Sequence, residues 1–135
     1  MLGDLIGEEQ GQITGQRVLG GEHGLPPTVE TSFAASGTLL GVQVQDMGTY
    51  TARLRADGTL EGAGSGVLMG PGGAHASWKG LAVGTFTESG GNSFRGSIVY
   101  ESDSPEFEGL RGVAGVFEWE TAADGKAAGR LWAWK

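Results

Sequence analysis

The chain has no cysteine, four prolines, two histidines and a single asparagine among its 135 residues. Without cysteine there are no disulfides, thiolate metal ligands or cysteine nucleophiles. That lack also suits a reducing compartment, and a cytoplasmic location is expected. Basic residues are few: 9 Lys and Arg stand against 16 Asp and Glu, for a formal net charge of −7. They are scattered rather than gathered into a stripe, so nucleic acid is not an expected partner. Long apolar runs are missing too. Nothing approaches the roughly 20 residues that a membrane helix needs, so no membrane association is expected. Met1 to Glu9 has neither a basic start nor an apolar run, and no secretory signal is expected there.

Glycine is what the chain has in excess, with 27 residues against a usual share of about 7%. The glycines have no collagen period and fall in and between segments of apolar–polar alternation. Such segments cover Gly11–Leu19, Thr28–Leu40, Gly41–Arg55, Thr59–Met69, His75–Thr87, Ser93–Ser102, Arg111–Glu120 and Ala127–Lys135. Turn signals separate most of them: Pro26-Pro27, Asp57-Gly58, Gly70-Pro71-Gly72-Gly73, Ser89-Gly90-Gly91-Asn92 and Asp124-Gly125. Ser104-Pro105-Glu106 reads as a capped helix start that Gly109 ends after about one turn. Residues 1–8 read as a loose N-terminal segment.

About eight long strands with almost no helix predict a single all-β domain over residues 1–135. Closing them into one antiparallel eight-stranded barrel leaves no exposed edge and a lumen wide enough for side chains or one small ligand. A two-sheet sandwich is the alternative. Gly62, Gly64 and Gly66 share one strand face and Gly80 and Gly84 another, as tight coiling requires. Large partners stand beside them: Trp78, Phe86, Phe94, Tyr100, Phe117, Trp119, Trp132 and Trp134. Trp132 and Trp134 share a face, which predicts that the last strand seals the core.

Gly41–Arg55 is the segment with the most chemistry. Its alternation places Val42, Val44, Asp46, Tyr50, Ala52 and Leu54 on one face. The connection from Thr28 to Arg55 has no plain turn signal, so the chain reverses either at Leu40-Gly41 or at Asp46-Met47-Gly48. The first choice puts Asp46 and Tyr50 in the lumen; the second leaves only Tyr50 there. Polar residues on apolar faces are the candidate site: Glu9, Arg17, Asp46 and Tyr50. A buried carboxylate needs a partner, and in a low-dielectric lumen it has a raised pKa suited to acid or base work. Asp46 and Glu9 are therefore the catalytic candidates. Tyr50, Arg17, Phe33, Trp78, Phe117, Trp119 and Trp132 are the ligand-binding ones. An internal ion pair that only fixes the barrel is the plainer reading of the same residues.

Other features point away from chemistry. Gly62-Ala63-Gly64-Ser65-Gly66-Val67 lacks the sixth glycine and the following helix of a dinucleotide loop. His23 and His75 stand at loops or strand starts without metal-ligand spacing, so no metal and no cofactor are expected. Ser65 and Ser77 lie on strands rather than at a nucleophile elbow. Glu118, Glu120 and Arg95 alternate against aromatic or apolar neighbours and are expected in solvent.

Several segments carry a family resemblance: Gly15-Gln16-Arg17-Val18-Leu19, Gly37-Thr38-Leu39-Leu40-Gly41-Val42, Asp46-Met47-Gly48-Thr49-Tyr50-Thr51, Gly64-Ser65-Gly66-Val67-Leu68-Met69, Gly112-Val113-Ala114-Gly115-Val116-Phe117-Glu118 and Leu131-Trp132-Ala133-Trp134-Lys135. In these the chain resembles the allene-oxide-cyclase-like (calycin-type) barrels, specifically a bacterial branch of small single-domain proteins. The resemblance implies a short eight-stranded barrel, often oligomeric, holding an apolar molecule. Its plant members steer a ring closure by shape, with a buried carboxylate and an ordered water. They also use cysteine and asparagine; here there is no cysteine and Asn92 falls in a turn, so that site does not transfer. The expected function is binding of an apolar small molecule in the lumen. The alternatives are a cofactor-free cyclase or isomerase, and a structural barrel with a filled core. A homo-oligomer, dimer or trimer, is expected, with Leu81-Val83 as an exposed apolar strip.

Overall fold

The alternating segments become eight strands in the computed structural model, which describes residues 2–134. They are β1 (Leu2–Leu19), β2 (Thr28–Leu39), β3 (Val42–Leu54), β4 (Leu60–Met69), β5 (His75–Phe86), β6 (Asn92–Glu101), β7 (Gly115–Thr121) and β8 (Lys126–Trp134). Each pairs antiparallel with the next, and β8 returns to β1, so the sheet is a closed barrel. The long β1 makes the closure. Its first part, Leu2 to Gln12, pairs with β8, while Gly7 to Leu19 pairs with β2. Serving two neighbours at staggered levels gives the sheet the offset that a barrel needs.

This placement corrects the expectation of a loose start: residues 2–8 are strand, and Leu2, Leu5 and Gly7 stand opposite Trp134, Trp132 and Leu131. The register shifts twice in that stretch, between Leu2 and Leu5 and between Leu5 and Gly7. Bulges of this kind break the period of two by which a strand is recognised.

Turn chemistry sorts the two ends. At one end, three hairpins repeat a single pattern, closed by Arg55 N–H to Thr59 C=O at 2.8 Å, Thr87 N–H to Gly91 C=O at 2.9 Å and Ala122 N–H to Lys126 C=O at 2.8 Å. Each places a glycine, Gly58, Gly90 or Gly125, at φ 86°, 90° or 89°, where a side chain would be strained. At the other end the β2–β3 link is the two-residue turn Leu40-Gly41, with φ of 53° and 76°. Pairing runs unbroken from Thr28↔Arg53 to Leu39↔Val42, so Asp46 is a strand residue.

The 102–114 connection closes that second end. Its 3₁₀ segment Pro105–Leu110 sends down Phe107 and Leu110, the two most deeply buried large side chains. Ser104 does not cap it as expected. The Ser104 hydroxyl instead accepts the His75 backbone N–H at 3.0 Å, which ties the plug to β5.

Inside the barrel, bulky rings lie on glycines of neighbouring strands. A Cβ at Gly48 would stand 2.5 Å from Trp78 Cζ2 and 2.9 Å from Phe33, and one at Gly129 would stand 2.8 Å from the Trp119 ring. An eight-stranded lumen has room for these aromatics only where the opposite wall carries no side chain.

Candidate functional site

The site forms at mid-barrel, where alternation sends Glu9 from β1, Asp46 from β3, Trp78 from β5 and Tyr100 from β6 to a common interior. Glu9 faces glycine on both sides, Gly37 on β2 and Gly129 on β8. Nothing therefore blocks its carboxyl from crossing β2 to meet Asp46. Asp46 is buried and accepts the Trp78 indole N–H at 2.8 Å.

The two carboxyl groups are hydrogen-bonded to each other. Burial, the bond to Asp46 and the charge of Asp46 together push the Glu9 pKa far above the carboxylate range. Burial raises Asp46 as well, but the bonds from Glu9 and Trp78 act in the opposite direction. By surface area Glu9 is only half-buried as a residue, yet its carboxyl is largely desolvated, and it is the carboxyl's surroundings that govern its charge. Every influence on Glu9 thus favours its protonated form, whereas at Asp46 burial is opposed by two hydrogen bonds that favour the anion. Two acids whose surroundings drive them apart in this way have distinct donor and acceptor roles. Tyr100 completes the cluster, its phenol pKa raised by burial and then by the two nearby acids.

Phe33 links this acidic pole to a second one. Its ring stacks near Trp78 at 6.2 Å and lies 4.6 Å from Trp119 and 6.1 Å from Tyr50. Tyr50 in turn meets Phe94 edge-on at 5.7 Å. Burial raises the Tyr50 pKa, while side-chain hydrogen bonds with Trp119 and Thr31 oppose the rise. Thr31 is itself buried and accepts a hydrogen bond from the Gln16 amide at 3.2 Å. The Trp119 indole N–H is directed at the Tyr50 phenol oxygen, but too loosely for a well-formed hydrogen bond.

Between the two poles lies a cavity of about 110 Å³. An engineered apolar protein cavity of about 150 Å³ takes up benzene, so this one is on the scale of a single ring.

Seven of the nine residues singled out from the sequence line it: Glu9, Asp46, Tyr50, Phe33, Trp78, Phe117 and Trp119. Arg17 and Trp132 do not. The β1–β2 register slips between Ile13 and Gly15, which turns Arg17 outward into a 3.3 Å ion pair with Glu30. One extra residue flips every side chain beyond it. On β8 it is Leu131 and Ala133 that are buried, so Trp132 and Trp134 face outward, and Trp134 is 61% exposed. The last strand closes the lumen with Ala127, Gly129, Leu131 and Ala133, and the Trp119 ring fills the space over Gly129.

Tyr100 is the important omission from the sequence-derived site. Its phase with Phe94, Gly96 and Ile98 was visible, but its nearness to Glu9 and Asp46 was not. Elsewhere His23 and His75 are exposed, and Arg95 pairs on the outside with Glu118. Among the described residues no group of three or more His, Cys, Asp or Glu side chains is placed to hold a metal ion, and no helix is long and apolar enough to cross a membrane.

No protein-family model and no curated protein matches the chain. Solved structures do. A protein of unknown function from Clostridium acetobutylicum ATCC 824 superposes with a TM-score of 0.82 at 10% identity, covering 98% of both chains. A conserved protein of unknown function from Rhodopseudomonas palustris gives a TM-score of 0.79 at 13% identity, covering 96% of this chain and 95% of its own. At such identities the likeness shows a shared fold alone.

Proposed function

We propose that the barrel binds an apolar small molecule of about one ring in its lumen, beside the Glu9–Asp46 pair. The single observation behind this reading is the cavity of about 110 Å³ walled by Phe33, Trp78, Phe94, Phe117 and Trp119 and bordered by two acids. A fold that only needed a filled core would gain by closing such a space, because unfilled volume forfeits dispersion contacts. Kinship with the allene-oxide-cyclase-like barrels belongs to the same proposal. It is supported by the short closed meander with a carboxylate in its lumen.

A second reading, a cofactor-independent cyclase or isomerase, rests on the hydrogen-bonded acid pair. A neutral acid and an anion held side by side can donate and accept at one bound substrate, while the aromatic walls hold it in a reactive shape. Benzene is the first probe. Saturable shifts of the Trp78 and Trp119 indole resonances are expected, and Ala82→Phe, which fills the cavity wall, should abolish them. Indole resonances that stay unmoved up to benzene saturation would rule the lumen out as a binding site.

A further inference from the structure

We propose that the lumen is built for an organic cation, a primary ammonium on a body of about one ring, whose charged head lies among Glu9, Asp46 and Tyr100. The inference rests on the lumen-binding reading above and adds the charge of the ligand and the end at which that charge sits.

Tyr100 gives the first reason. As a residue it is partly accessible, but its phenol group is deeply buried and it lines the cavity. The phenol is near enough to Glu9 and Asp46 for their charge to act on it. Yet it is hydrogen-bonded to neither acid, nor to any other group among the described residues. Buried polar groups in folded proteins nearly always find a partner, so the space between phenol and acids suits a group that the chain does not supply. Charge gives the second reason. At Asp46 two hydrogen bonds favour the anion, and no basic side chain is among the influences on either acid. The arginines Arg17, Arg53 and Arg95 pair with Glu30, Glu61 and Glu118 on the outer face. Arg130 alternates outward beside Gly129 and Leu131 and is exposed. A buried charge without a counter-charge is unfavourable, and a cation in the lumen provides the missing one.

Counting acceptors narrows the cation. A carboxylate has about four lone-pair sites, and Asp46 uses two of them, for Trp78 and Glu9. A protonated Glu9 keeps its carbonyl oxygen as an acceptor, and the Tyr100 phenol oxygen accepts as well. Acceptors from β1, β3 and β6 thus suit the three N–H groups of a primary ammonium, whereas a quaternary ammonium has no N–H to give. The rings of Phe33 and Trp78, stacked at 6.2 Å, border the same cavity, and aromatic faces attract a cation that aliphatic walls would not. A metal ion fits less well, because among the described residues no three His, Cys, Asp or Glu side chains are placed to hold one. A water beside Tyr100 would serve in the empty protein, and the ammonium replaces the bonds it made. The hydrocarbon body then extends towards Phe117 and Trp119.

Cyclopentylamine, cyclopentanol and methylcyclopentane test this with the full chain, since they differ only in NH₃⁺, OH or CH₃ on the same ring. The amine is protonated at neutral pH, as lysine is. In the unaltered protein at pH 7 it should bind on the order of tenfold more tightly than the hydrocarbon, and more tightly than the alcohol. Benzene should displace it. The preference should survive about 0.5 M salt, whereas a cation held only by the acidic outer surface would be released. In Asp46→Asn, whose amide oxygen can still accept the Trp78 N–H, the ratio of amine to hydrocarbon affinity should fall to near unity. Tyr100→Phe should lower the same ratio by a smaller factor. The competition and salt series in the unaltered protein need no variant, so the test stands even if Asp46→Asn fails to fold. An alcohol or hydrocarbon that binds as tightly as the amine, a preference lost in salt, or one that survives Asp46→Asn would overturn the cation inference and leave lumen binding intact. If none of the three compounds binds and benzene does not either, both readings fall.

Discussion

Replacing Glu9 by Gln should make the protein more stable, and increasingly so as the pH rises. Glu9 has a folded-state pKa raised by burial and by Asp46, so its contribution is greatest below the unfolded pKa of about 4.3 and is lost as the pH rises towards the folded value. Between the two values the folded chain holds a proton that the unfolded chain releases. Stability then falls by about 1.4 kcal/mol per pH unit. Carried from pH 4.3 to pH 7, the limit is about 3.7 kcal/mol. Glu9 is only half-buried as a residue and can relax towards water, so a gain of about 1–3 kcal/mol at pH 7 is expected. Glutamine is neutral at every pH, and its amide can donate to Asp46 as the protonated acid does. The assay is urea unfolding of both proteins at pH 4.5, 6 and 8, with the difference in unfolding free energy plotted against pH. It should be near zero at pH 4.5 and largest at pH 8. A flat difference, or one that turns against Gln at high pH, would mean that Glu9 is ionised in the folded barrel.

Two further outcomes follow from the packing. Phe107→Ala empties the plug of the closed end and should cost about 3–5 kcal/mol in chemical denaturation, the usual loss for a fully buried phenylalanine; a cost below about 1 kcal/mol would mean that the 102–114 connection is not part of the core. Gly48→Ala puts a methyl 2.5 Å from Trp78, between rings that cannot move aside cheaply, and should cost about 1–3 kcal/mol and weaken benzene binding together. An unchanged melting temperature would show that the barrel can widen there.

The sequence by itself determined the class of the fold and most of its interior. Alternation over β2 to β8, with Asp57-Gly58 and Asp124-Gly125 at the turns, leaves little freedom beyond an antiparallel meander, because side-chain period and turn geometry are local properties. The inward phase of Phe33, Tyr50, Trp78, Phe117 and Trp119 was legible for the same reason. Only the tertiary structure decided where that local logic breaks. The register slip after Ile13 turned Arg17 outward, and the bulges near Leu5 hid the first half of β1. On β8 both phases of the alternation were acceptable locally; the volume already taken by Trp119 over Gly129 put Leu131 inside and Trp132 outside. Pairing also settled the turn at Leu40-Gly41 and so set Asp46 in the lumen. The meeting of Glu9 with Asp46 across β2 was the tertiary structure's decision too. The two acids are 37 positions apart, and only closure of the barrel, with Gly37 between their strands, brings them into contact.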